Sequence, residues 1–81
     1  MTWQEKEDKL VLERTFTNFT DAMQFVNAVA KLAEVAQHHP DIHLEGWNRV
    51  RLVLYTHSEK RITAKDKTLA EKISDIKEKN L

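Results

Sequence analysis

Trp47-Asn48-Arg49-Val50-Arg51-Leu52-Val53-Leu54-Tyr55-Thr56-His57 carries the clearest periodic pattern in the chain. Val50, Leu52 and Leu54 fall on one side of an extended backbone, and Arg49, Arg51, Val53 and Tyr55 on the other, because strand side chains alternate with period two. The stretch therefore reads as a strand with one covered face. Just upstream, Asp41 to Glu45 places Ile42 and Leu44 on one face, and Gly46 can turn the chain, which makes the two segments a hairpin. Leu10 to Phe16 reads as a further strand in which Leu10, Leu12 and Phe16 share a face that Arg14 interrupts. Charged Glu5 to Lys9 reads as a loose lead-in to it.

Two helical stretches flank the hairpin. Thr20 is placed to cap the first, whose apolar positions Ala22, Met23, Val26, Val29, Ala30, Ala33 and Ala36 recur at steps of three or four. Pro40 disfavours helical geometry at His39, so this helix should end near His38. Thr63-x-x-Asp66 has the spacing of a helix cap, and Leu69, Ala70, Ile73 and Ile76 follow it as one stripe. The order strand, helix, hairpin, helix predicts an α+β two-layer sandwich. Its mainly antiparallel sheet has four strands, or three if the first is short, and two helices cover one face.

The chain of 81 residues suits one domain, taken as residues 1–81. A core this small, burying about 60% of the unfolded surface, gains from subunit contacts. Thirteen Lys plus Arg balance thirteen Asp plus Glu, so no basic field draws the protein to nucleic acid or to anionic lipid. Cysteine is absent, which removes disulfides, thiolate nucleophiles and cysteine zinc sites. The N-terminal nine residues are charged and lack a signal core, so a cytoplasmic location without membrane association is the expectation.

The order Glu34-x-x-x-His38-His39-Pro40, Trp47-Asn48-x-Val50, Thr56-His57, Thr63-x-x-Asp66 resembles the pterin-4a-carbinolamine dehydratase family, also called DCoH, from roughly Trp3 to Lys79. The resemblance implies a hydro-lyase that eliminates water from a 4a-hydroxytetrahydropterin, giving quinonoid dihydropterin in pterin recycling, with no redox cofactor. It also implies a homodimer or homotetramer. By position, His38, His39 and His57 match the family's active-site histidines, and Glu34, Pro40, Thr56 and Asp66 fall among its substrate-binding or orienting positions. Proton delivery to the departing hydroxyl and proton removal from N5 both suit imidazole, which titrates near neutrality. Glu34 lies one helical turn before His38 and is expected to pair with it. Asp66 serves equally well as a simple cap.

Other signals have plainer readings. Trp47 is expected to pack rather than to stack on a pterin, and Arg49 and Arg51 to be solvated strand charges. His39-x-x-x-His43 has ligand spacing only on a helix, which Pro40 prevents, so no metal is expected. Three departures from the family pattern stand out: a segment between Pro40 and Thr56 one residue longer than in animal-type members, no glycine between Ser58 and Ile62, and Lys65 where arginine is common. The rival function is a protein-binding scaffold on the same fold, since some animal members stabilise dimers of a homeodomain transcription factor.

Overall fold

The structure, a computed structural model, describes residues 2–76; Met1 and residues 77–81, including Lys79 at the end of the resemblance, lie outside the described residues. Strands β1 (Gln4–Lys6), β2 (Lys9–Thr15), β3 (Asp41–Glu45) and β4 (Arg49–Leu54) form one sheet in the order β1-β2-β4-β3, every neighbouring pair antiparallel. Helices α1 (Phe19–Ala36) and α2 (Ala64–Ser74) complete the α+β sandwich. Leu10 faces Leu54 and Leu12 faces Leu52 across β2 and β4, while Ile42 and Leu44 of β3 face Leu52 and Val50. Leu10, Leu12, Val50, Leu52 and Leu54 are buried against Ala22, Phe25 and Val29 of α1 and Leu69, Ala70 and Ile73 of α2. The register thus gathers the apolar side of every strand under the helices.

Arg14 belongs to that inner face, opposite Val50. Its guanidinium lies 4.9 Å from the Phe16 ring centre and 5.9 Å from that of Phe25, so a cation caps the edge of the core through aromatic faces. The interruption in the strand pattern is consistent with the fold for this reason.

Four local expectations are corrected. Glu5 to Lys9 is a hairpin rather than a lead-in: Lys6 pairs with Lys9, and Glu7 and Asp8 between them have φ of 50° and 61°. Such a turn requires two positive φ values, usually supplied by Asn or Gly, which this sequence lacks at those positions. The cap of α1 is Asn18, not Thr20; its Oδ1 accepts the Asp21 N–H at 2.8 Å. Phe25 and Leu32 turn the buried stripe of α1, leaving Ala30 and Ala36 exposed, because the bulkier side chains have more apolar area to remove from water. Trp47 is 60% exposed, since β4 begins only at Arg49 and both Gly46 and Trp47 take positive φ in the turn before it.

The corrected cap gives a stability prediction. Asn18→Ala should cost about 1 kcal/mol, whereas Thr20→Ala should stay within about 0.5 kcal/mol. Urea unfolding of both variants checks it, and equal losses would restore the cap to Thr20.

Candidate active site

The end of α1 sets the geometry. Gln37 takes the left-handed conformation at φ 52°, and its N–H returns to Ala33 and Glu34 carbonyls, closing the helix before His38. The His38 N–H also returns to the Ala33 carbonyl, at 3.2 Å. Left-handed closure ends the one-turn helical spacing on which a Glu34 to His38 pairing depends. The expected pair is therefore replaced by two others. Glu34 Oε2 lies 2.5 Å from His39 Nε2, in an exposed pair, while His38 Nε2 lies 2.5 Å from Asp66 Oδ1 at the start of α2.

Asp66 is fully buried and His38 only 13% exposed at its side chain. The other carboxylate oxygen, Oδ2, accepts the Thr56 hydroxyl at 2.8 Å and the Thr63 backbone N–H at 2.9 Å. Thr56 and Thr63 hydroxyls meet at 2.6 Å. Asp66 thus caps α2 and holds His38 with the same carboxylate. Burial pushes its carboxyl up, but hydrogen bonds from His38, the Thr63 N–H and Thr56, with the charge of His38, outweigh burial and hold it below its usual value of 3.8. An ionised Asp66 can only accept, so His38 Nε2 carries a proton, and in the neutral ring Nδ1 is the acceptor nitrogen.

Thr56 is buried at the end of β4, where its N–H donates to the Arg61 carbonyl at 2.9 Å and its carbonyl accepts from Glu59 and Lys60. This closes the glycine-free loop with Lys60 at φ 55°, a conformation that glycine adopts at less steric cost. Next to Thr56, the exposed His57 ring stacks on Tyr55 with centroids 4.3 Å apart and planes 12° from parallel. Lys9 Nζ lies 4.7 Å from the centre of the Tyr55 ring. Among the described residues His38 and His39 hydrogen-bond to Asp66 and Glu34 rather than to His57. Pro40 separates the histidine pair from β3, which starts at Asp41. A cleft of about 380 Å³ opens beside His38, between the end of α1 at Ala36 and the α2 residues Ala64, Lys65, Thr68, Leu69 and Lys72.

The sequence did not single out Gln37 or the reach of Asp66 to His38. The positive φ at Gln37 has no marker in a non-glycine residue, and the Asp66 contact spans 28 residues.

A family model described as Pterin 4 alpha carbinolamine dehydratase matches residues 1–76. The chain belongs to that family. It is similar to a Thermomicrobium roseum protein carrying the pterin-4-alpha-carbinolamine dehydratase name, with 49% identity over 91% of this chain and 78% of the relative. Among solved structures, a Brucella melitensis protein described as a transcriptional coactivator/pterin dehydratase superposes with a TM-score of 0.81 and 32% identity, over 89% of this chain and 78% of that one. A pterin dehydratase-like protein identified as a RuBisCO assembly factor in the alpha-carboxysome shares the fold, with a TM-score of 0.70 and 22% identity over 89% of this chain and 82% of that one. Membership in the dehydratase family thus extends across the elements that hold Glu34, His38, His39, His57 and Asp66.

Proposed function

We propose that this pterin carbinolamine dehydratase family member eliminates water from a 4a-hydroxytetrahydropterin by histidine general acid-base catalysis, as a cytoplasmic homo-oligomer acting in pterin recycling. The observation that carries the reading is the Asp66–His38 pair at the edge of a cleft, with the pair's carboxylate buried. In the reaction the C4a–O bond breaks, the departing oxygen takes a proton and leaves as water, and N5 loses its proton as the C4a=N5 bond forms. His38, fixed through Nε2, presents Nδ1 as a base when neutral or as an acid when protonated. His39, paired with Glu34, and His57, next to Thr56 in the chain, supply the remaining transfer. Pro40 holds the junction after the histidine pair, and Thr56 orients Asp66.

Breaking C4a–O as C4a=N5 forms, with one proton delivered and one removed, involves no net electron transfer and calls for no electron carrier or Lewis acid. Purified protein treated with a chelator should dehydrate freshly formed 4a-hydroxypterin at the untreated rate in a stopped-flow assay, after subtraction of the uncatalysed reaction. Loss of turnover on chelation and its return with added zinc would overturn the metal-independent mechanism.

A second reading, protein-binding scaffold, draws on the sheet edges. Among the described residues the outer sides of β1 and β3 have no strand partner in the sheet, and such edges accept another chain. The same edges favour subunit association in a small fold. Absence of turnover in a folded protein that forms a defined complex with a separate partner would favour the scaffold.

A further inference from the structure

The cleft beside His38 is lined along α2 by Lys65, Thr68 and Lys72. These positions, i, i+3 and i+7, form one stripe of the helix, and seven residues rise about 10 Å along its axis. Among the described residues no carboxylate lines the cleft, and neither Lys65 nor Lys72 takes part in an ion pair. Asp66, next to Lys65 in sequence, is fully buried with its oxygens engaged by His38, Thr56 and Thr63. The chain has no net charge, so the positive character belongs to this stripe rather than to the whole surface. Ala36, Ala64 and Leu69 add apolar lining to the same cleft.

We propose that the preferred substrates are 4a-hydroxytetrahydropterins whose side chain ends in an anion, with the ring beside His38 and the anion on the α2 lysines. This rests on the dehydratase reading and adds to it the chemical class of the side chain. A neutral dihydroxypropyl chain would leave both ammonium groups without a counter-charge. A short phosphate ester suits Lys65, at the start of α2. A longer p-aminobenzoylglutamyl chain suits Lys72, two turns farther along. Exposed lysines act weakly in bulk water, but two along one walled cleft add their fields at an anion held there.

The test compares kcat/KM for three 4a-hydroxytetrahydropterins, bearing a dihydroxypropyl chain, a phosphate ester or a p-aminobenzoylglutamyl chain, alongside binding of the corresponding unreactive dihydropterins. At least one anionic pterin should exceed the neutral one by about tenfold in both measurements. The advantage should shrink in high salt, as the screening length falls from about 10 Å at 0.1 M to about 3 Å at 1 M. Lys65→Gln should reduce that ratio most if phosphate is the preferred anion, and Lys72→Gln if the glutamyl chain is. Values within twofold for all three side chains, in dihydropterin binding and in 4a-hydroxytetrahydropterin turnover alike, would overturn the inference. Tighter binding of an anionic pterin with no turnover of any would instead remove the dehydratase reading and leave the cleft's preference standing.

Discussion

His38→Ala is expected to lower dehydratase turnover by about 10²-fold or more, the scale of a lost general acid or base. The same change leaves Asp66, buried and ionised, without its imidazole donor, so it also costs about 1–3 kcal/mol of stability. His38→Gln separates the two effects. Its amide can donate to Asp66 but has no basic nitrogen, so it should recover much of the stability and little of the turnover. His39→Ala and His57→Ala remove exposed rings, and each should change stability by under about 0.5 kcal/mol. If both take part in proton transfer, their turnover still falls by about 10²-fold. Circular dichroism establishes folding, and stopped-flow loss of the 4a-hydroxypterin gives turnover. Three folded variants with wild-type turnover would end the active-site assignment and leave the scaffold as the better account.

Asp66→Ala is expected to be the most destabilising change in the site, at about 3–5 kcal/mol, because three donors lose the acceptor they share, at about 1–3 kcal/mol each. It takes away the acceptor of the Thr63 N–H, the Thr56 hydroxyl and His38 at once. Because one side chain holds both the α2 cap and the histidine, activity should fall together with stability. Asp66→Asn keeps the shape and loses the charge, and it exposes the pH dependence. The folded pKa of Asp66 lies below its ordinary value of 3.8, so the stability it contributes is complete above that value and disappears as pH falls through the depressed one. The stability difference between wild type and Asp66→Asn should therefore narrow below about pH 4. A difference unchanged down to pH 2 would show that the carboxylate's charge adds nothing to folding.

The fold was legible because its signals are local. Alternation in β4 and β3 depends on side chains two residues apart, and the Thr63–Asp66 cap on residues three apart. These gave the hairpin, α2 and the two-layer sandwich without reference to distant contacts. The hairpin of β1 with β2 was not legible, because Glu7 and Asp8 adopt positive φ without the residues that announce it. The face of α1 was only partly so. Many of its positions are alanine, and burial of Phe25 depends on what the sheet presents to it.

By itself, then, the sequence determined the order of elements from the strand at Leu10 to Phe16 onward, the sandwich of two helices on an antiparallel sheet, and the histidines at the ends of α1 and β4 as the candidate chemistry. Only the tertiary structure decided which carboxylate holds which histidine. Helical spacing favours Glu34 with His38, but a left-handed residue at Gln37 ends that spacing and leaves His39 with Glu34. His38 then meets Asp66 from 28 residues away, across the packing of α1 against α2. A short-range pattern records the torsional preferences of neighbouring residues. Contact between two helix ends is set by how the core beneath them packs, which no local pattern records.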